Sequence, residues 1–61
     1  MSVKIAINCD NAAFEQNDGA DEVCRILRAL AERVSEYGTS RAYGNILDFN
    51  GNKVGEVCVE E

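Results

Sequence analysis

The segment CDNAAFEQNDGADE, residues 9–22, contains five carboxylates within fourteen residues. Carboxylates at this density can bind a metal ion, contact a basic partner, or begin a helix. The last explanation covers Asp18 and the two acids after it, because Asp18 is a suitable N-cap and acids favour the N-terminus of a helix. Asp10 and Glu15 have no such local role, so they are candidates for contact with a partner.

Metal binding is poorly supported elsewhere in the chain. The sequence DFNGN at residues 48–52 begins like a calcium loop, but an EF-hand places glycine at position six and glutamate at position twelve. Here Gly51 is at position four and Glu56 at position nine. A zinc site needs four ligands, usually cysteine or histidine at short spacing, and the chain has three cysteines and no histidine. We therefore expect no metal and no cofactor.

Catalysis is not indicated either. The chain offers no histidine as a base, and a cysteine nucleophile needs a base or a lowered pKa. Cys24 falls in a predicted helix, and Cys9 and Cys58 fall in predicted strands, so each is expected to be a small buried side chain. We expect that the protein is not an enzyme.

The short length of the chain favours association. A chain of 61 residues forms one domain and buries only about 60% of its unfolded surface, so its core is marginal. Since neither a disulfide framework nor a metal is expected, we expect support from a homodimer. The net charge of −5 disfavours direct nucleic-acid binding. The sequence lacks a signal-peptide pattern and an apolar membrane span, so a cytoplasmic location is expected.

Hydrophobic periodicity predicts a strand followed by a helix. Apolar and polar residues alternate over residues 3–9, which is typical of a half-buried strand. Helical spacing follows over residues 19–36, and Phe14 is expected to anchor the intervening loop to the core. The expected apolar stripe of the helix comprises Val23, Ile26, Leu27, Leu30, Ala31 and Val34. Two ion pairs are expected on its outer face, Asp21–Arg25 and Arg28–Glu32.

Residues 43–59 predict a hairpin, because the Asn-Gly pair at 50–51 is a strong turn signal. Two registers are open. A two-residue turn would pair residues 49 and 52. A type I turn with a glycine bulge would place Asp48 opposite Asn52 and Ile46 opposite Val54, and we favour it because aspartate suits the first position of that turn. Along the last strand, Val54 and Cys58 would then share one face and Val57 the other.

The predicted order is β-α-β-β in a single domain of residues 1–61. One helix packed on a three-stranded antiparallel sheet is a stable two-layer α+β arrangement. A single helix covers only one face of that sheet, so we expect apolar side chains to be exposed on the other face. Because exposed patches of this kind mark interfaces on small proteins, the homodimer is expected to form through the open face or by pairing of edge strands.

Three segments resemble a group of small uncharacterised proteins encoded by tailed phages and prophages. They are NAAF at residues 11–14, ILRALA at 26–31 and LDFNGNKVG at 47–55. The resemblance covers most of the chain, which differs from the group in its three cysteines and in the long loop at 37–44. The group has no assigned catalytic residues. The resemblance implies a phage accessory gene rather than a core metabolic enzyme.

Three functions follow as hypotheses. The favoured one is an inhibitor that binds a bacterial host or defence complex such as CRISPR, in an infected or lysogenic cell, through an acidic surface that mimics nucleic acid. Its candidate contact residues are Asp10, Glu15, Asp18 and Glu56. The second is a nucleotide sponge, in which dimer-related loops bind a phosphate group. Its candidate ligands are Thr39, Ser40, Arg41 and Tyr43. The third is a structural role in the virion or in replication.

Overall fold

The computed structural model describes all 61 residues and has the predicted order of elements. One helix packs on a three-stranded antiparallel sheet with strand order β1-β3-β2, so the predicted α+β fold is confirmed. The elements are β1 (Ser2–Ile7), α1 (Ala20–Tyr37), β2 (Gly44–Leu47) and β3 (Lys53–Glu60). Short 3-10 turns occupy Ala12–Phe14, Gln16–Gly19 and Thr39–Arg41. The strand predicted over residues 3–9 ends two residues early, at Ile7, because asparagine and aspartate after it turn the chain.

The core lies between α1 and the β2–β3 half of the sheet. Helix α1 contributes Ile26 and Leu30, which are four residues apart and therefore lie on one face. Phe14, in the loop after β1, packs against them as expected. The sheet contributes Ile46, Val54 and Val57. These six side chains are the buried cluster that holds the two layers together through the hydrophobic effect.

The predicted turn of the hairpin is confirmed. The amide of Asp48 donates to the carbonyl of Asn52 at 2.9 Å, and the amide of Gly51 donates to the carbonyl of Asp48 at 3.0 Å. Gly51 has a φ of 87°, as the bulge position of this turn requires. Asp48 is therefore the first residue of a type I turn, and Gly51 adopts the left-handed conformation of the bulge that follows the turn.

Beyond Leu47 the predicted register is wrong. Leu47 lies opposite Lys53, as the predicted register requires, but Ile46 lies opposite Gly55 rather than Val54. Val54 is therefore an extra residue on β3, and this second bulge directs its side chain into the core beside Val57. The expected alternation, with Val54 and Cys58 on a face opposite to Val57, fails because a bulge interrupts the period of two.

Gly55 is enclosed at the centre of the sheet, opposite Ile7 on one side and Ile46 on the other. A Cβ atom at this position would overlap the carbonyl oxygen of Ala6 in β1. The close approach of β1 to β3 therefore depends on the absence of a side chain at this position.

The start of α1 differs from the expectation. Gly19, with a φ of 77°, is the N-cap residue, and Asp18 precedes it in a left-handed conformation without capping the helix. Asp21 accepts a hydrogen bond from the side chain of Asn17 at 3.0 Å instead of taking part in a capping box. The expected pair Asp21–Arg25 does not form, because Arg25 pairs with Glu22. The expected pair Arg28–Glu32 does not form either.

All three cysteines are exposed and free, so the expectation that they are buried is wrong. Cys9 lies beyond the end of β1, Cys24 lies on the outer side of α1, and Cys58 lies on the face of the sheet away from the helix. The sulfur atoms of Cys9 and Cys58 make only long contacts, of 3.9 Å, with neighbouring oxygens.

The apolar surface that remains uncovered lies beside the helix rather than on the opposite face of the sheet. Val3 and Ile5 pair with Val59 and Val57 and so share the helix side of the sheet, yet they are 41% and 47% exposed. This follows because α1 covers only the β2–β3 half. The opposite face is mostly polar, contrary to expectation, and Leu47 is its one large exposed apolar side chain. The face comprises Ser2, Lys4, Ala6, Asn45, Leu47, Lys53, Glu56, Cys58 and Glu60.

Candidate functional site

The side chain of Asp48 organises the tip of the hairpin. One carboxylate oxygen, Oδ1, accepts hydrogen bonds from the amides of Asn50 and Asn52, both at 2.9 Å. The other, Oδ2, accepts from the side-chain amide of Asn11 at 2.8 Å and from that of Asn52 at 3.4 Å. Asp48 is buried, so these bonds replace the water that its charge loses on folding. They also tie the tip to the loop that follows β1.

A second buried carboxylate, Glu22, ties the same tip to the start of the helix. Glu22 binds the guanidinium of Arg25 in a two-bond fork, at 2.6 and 2.9 Å. It also accepts a hydrogen bond from the amide of Phe49 at 2.8 Å. Arg25 in turn donates to the carbonyl of Leu47 at 3.1 Å. A bidentate pair of this kind fixes orientation as well as adding energy, so the backbone at Leu47 and Phe49 is held in one position.

The two carboxylates are ionised at neutral pH. The hydrogen bonds from Arg25 lower the pKa of Glu22 and, with the Phe49 amide, outweigh the opposing effect of burial. Burial alone would raise the pKa of Asp48, but the hydrogen bonds from Asn52, Asn11 and Asn50 together hold that pKa below its ordinary value. Glu22 reciprocally raises the pKa of Arg25. The tip is thus built on charged groups that are fully hydrogen-bonded.

This clamped backbone presents two large apolar side chains to solvent. Phe49 is 63% exposed and Leu47 is 50% exposed. Phe49 borders a cleft of about 410 Å³ between the tip and the start of α1. We call Phe49, Arg25, Glu15, Gln16 and Asp21 the tip surface. It combines an aromatic side chain, an arginine and a polar margin, which is the composition of energetically important protein-binding surfaces.

The predicted acidic residues do not form one surface. Glu15 lines the cleft beside Phe49. Asp10 and Glu56 share a shallow groove at the junction of β1 and β3, which lies elsewhere. Asp18 is exposed in the loop before the helix and lines neither. Glu56 also lies 3.4 Å from the ammonium of Lys53, so part of its charge is balanced locally.

The predicted phosphate-binding loop forms a 3-10 turn and the residues after it. Thr39 is half-buried, whereas Ser40, Arg41 and Tyr43 are exposed. None of these four residues lines any of the surface clefts. The arginine that contacts this loop is Arg33, whose guanidinium lies 3.4 Å from the carbonyl of Ala42.

The tip surface contains residues that sequence reasoning did not assign to a site. The sequence indicates Phe49 only as a pairing position in the alternative hairpin register, and Glu22 only as an acid at a helix start. One signal in the sequence did bear on the tip, since an aromatic residue inside a strong turn motif has no adjacent strand position in which to be buried. The contact between Glu22 and Phe49, 27 residues apart, leaves no local pattern.

Comparisons with protein-family models, with curated proteins and with solved structures find no match for this chain. No cluster of three or more acids and cysteines is arranged to hold a metal ion. Helix α1 is too polar to cross a membrane.

Proposed function

We propose that this chain is a non-enzymatic phage accessory protein that binds and inhibits a bacterial host or defence complex, such as a CRISPR complex, in the cytoplasm of the infected cell. The tip surface is the contact region, with Phe49 as its anchor. The phage origin rests on the sequence resemblance, and the mode of action rests on the construction of the tip.

The observation that supports this proposal is the exposed Phe49 on a backbone fixed by buried Glu22. An exposed phenylalanine lowers solubility and contributes nothing to the core, whereas a rigidly held one loses little conformational entropy on binding. Aromatic and arginine side chains at the centre of an interface contribute most of its binding energy. Phe49 is the aromatic side chain on the fixed backbone, and Arg25 is the arginine beside it in the same cleft.

The acidic loop contributes to association rather than to the anchor. Glu15 lies at the edge of the tip surface, and Asp10 and Asp18 belong to the same loop. Together with the net charge of −5 they favour a basic groove, such as one that binds nucleic acid, and speed encounter with it. Glu60 and Glu56 are less suited, because Lys4 and Lys53 lie 3.4 Å from their carboxylates.

The first experiment is affinity capture from a lysate of the host with the tagged protein, at low and at high salt. We expect a partner that binds nucleic acid and is captured less at high salt, because screening weakens the acidic contribution. Phe49→Ala should abolish capture of that partner. Tyr37→Ala is the matched control, since Tyr37 is 61% exposed on the end of the helix and lies outside the tip surface. Equal loss in both variants, or in neither, contradicts the anchor role.

Charge reversal tests the acidic loop separately. Lysine at positions 10 and 15, with asparagine at position 18, should slow association with the captured partner and reduce its salt dependence. The fold is retained because all three side chains are exposed and asparagine tolerates the left-handed conformation at position 18. Surface plasmon resonance at several salt concentrations measures the association rate and its salt dependence. Unchanged association would leave Phe49 as the anchor and remove the nucleic-acid-mimic part of the proposal.

A further inference from the structure

One flank of helix α1 is exposed and has no charged residue. Its side chains follow one another at alternating spacings of four and three residues, and we call them the exposed stripe. They are Ala20, Cys24, Leu27, Ala31 and Val34. Arg25, Ala29 and Arg33 lie on the other flank, which faces β2, so the exposed stripe lies on the β1 side. Alternation of three and four residues is the pattern by which one helix packs along another.

The exposed stripe continues onto the uncovered part of the sheet. Val3 and Ile5 lie on the helix side of β1 and are about half exposed. Val23 and Ile7 are partly buried against the core on this side of the helix. The exposed apolar side chains of the helix flank and of the strand therefore lie on the same side of the sheet. This surface is distinct from the tip surface, which lies on the β2 side of the helix.

We propose that the exposed stripe is a homodimer interface, in which α1 packs antiparallel against α1 of a second copy. The order of side-chain sizes points to this occupant. In the antiparallel register whose two-fold axis lies at the level of residue 29, Leu27 faces the small Ala31 and Val34 faces the small Cys24, and Ala20 lies beyond the paired residues. A two-fold axis repeats each contact, so Leu27–Ala31 and Val34–Cys24 each occur twice in the dimer, and in each contact a larger side chain meets a smaller one. Val3 and Ile5 border the paired helices and are covered by them.

The charge distribution also favours a second copy. Two chains of net charge −5 repel one another, and contact is least unfavourable where each presents no charge. Every charged residue of α1 lies off the exposed stripe. Added salt should therefore strengthen the dimer by screening this repulsion, whereas it should weaken the acidic contact proposed for the target. The opposite salt dependences separate the two proposals.

Sedimentation of the full chain over a range of concentrations tests the interface. We expect the wild type to sediment with twice the 6.7 kDa mass of one chain, and Leu27→Glu to sediment as a single chain, with a dimer Kd raised by at least about tenfold. Leu47→Glu is the matched control, because Leu47 is equally exposed on β2; it should remain a dimer. Circular dichroism checks that each variant is folded.

Disulfide trapping gives a second measurement that does not depend on a disruptive variant. In a background with Cys9→Ser and Cys58→Ser, Val34→Cys places a new thiol opposite Cys24 of the second copy. Mild oxidation should then link two chains covalently. The same Val34→Cys change with Cys24→Ser should give no linked dimer, because position 34 faces position 24 and not itself.

Three results would overturn the proposal. The first is a wild type that sediments as a single chain at every concentration. The second is a dimer that Leu47→Glu dissociates as readily as Leu27→Glu does. The third is equal cross-linking with and without Cys24. If Leu27→Glu fails to fold, the cross-linking comparison decides alone.

Discussion

The two flanks of helix α1 are built from different chemistry. On the β2 side, Glu22 and Arg25 hold the hairpin tip through hydrogen bonds between charged groups. On the β1 side, Leu27 and Val34 face solvent next to uncovered Val3 and Ile5. Directional bonds fix one geometry, whereas apolar contacts are non-directional and accept any complementary surface. One flank of the helix is therefore held by directional bonds within the chain, and the other leaves apolar side chains uncovered.

Ile26→Ala should have the largest effect on folding. Ile26 lies between the two flanks in the buried cluster, and truncating such a side chain removes about 3 kcal/mol from the free energy of unfolding. A domain of this size has only about 3–9 kcal/mol in total. Urea unfolding followed by circular dichroism should show a lower midpoint at every protein concentration. A midpoint within error of the wild type would contradict the assigned core.

Asp48→Ala should cause the second-largest loss of stability, and the loss should be confined to the hairpin tip on the β2 side. It leaves the amides of Asn50 and Asn52 and the side chain of Asn11 without their acceptor. The loss should be smaller than for Ile26→Ala, because Asn50 and Asn52 are exposed and water replaces part of what is lost. Urea unfolding gives the size of the loss. Faster amide hydrogen exchange confined to residues 47–53 would locate it, and exchange spread evenly over the sheet would contradict it.

Acid should weaken the same flank. The pKa values of Glu22 and Asp48 are lowered in the folded protein, so their stabilisation is complete above the unfolded values near about pH 4. It is lost as pH falls through the unfolded and then the lower folded values, because the unfolded chain takes up protons first. The urea concentration at the midpoint of unfolding should therefore decrease as the pH is lowered below about 5. Glu22→Gln should make this pH dependence shallower, whereas Glu36→Gln, an exposed acid on the same helix, should leave it unchanged.

Leu27→Ala, on the β1 side of the helix, should have the smallest effect on the isolated chain. Leu27 is the neighbour of Ile26 but is 45% exposed, so its truncation should cost less than about 1 kcal/mol when the protein is dilute. The cost should grow with protein concentration, because dimerisation adds stability by mass action. A cost as large as that of Ile26→Ala under dilute conditions would place Leu27 in the core instead.

The local features of the fold were predictable from the sequence. Alternation in β1, the helix and the Asp48–Gly51 turn all follow from residues within a few positions of one another. The expected apolar stripe of the helix was only half right, since Val23, Ile26 and Leu30 pack on the core. The other three residues of that stripe are exposed, namely Leu27, Ala31 and Val34. The bulge at Val54 was not predictable, since it depends on Gly55 being opposite Ile46 and on the room for a side chain beneath the helix. One inserted residue changed which valines are buried.

The candidate site was harder to predict because its bonds connect distant parts of the chain. Glu22 had a sufficient local explanation as an acid at a helix start, so nothing in the sequence indicated that it binds the Phe49 amide. The acids Asp10, Glu15, Asp18 and Glu56 were grouped by charge, but the folded chain brings only Asp10 and Glu56 to one groove and places Glu15 in a different cleft, beside Phe49. The number of acids in a sequence therefore does not show whether they lie on one surface, because the fold decides where each side chain is placed.

Gly55 has a consequence for how this sequence can vary. If every position were randomised and variants were selected for folding, position 55 should return glycine alone, because any side chain meets the backbone of β1. Position 51 should also return asparagine, which tolerates a left-handed conformation and has open space around it. The two glycines therefore differ in how far they can be replaced. Gly51 can be exchanged for another residue that tolerates its turn conformation, whereas Gly55 must be kept if β1 and β3 are to pair as they do.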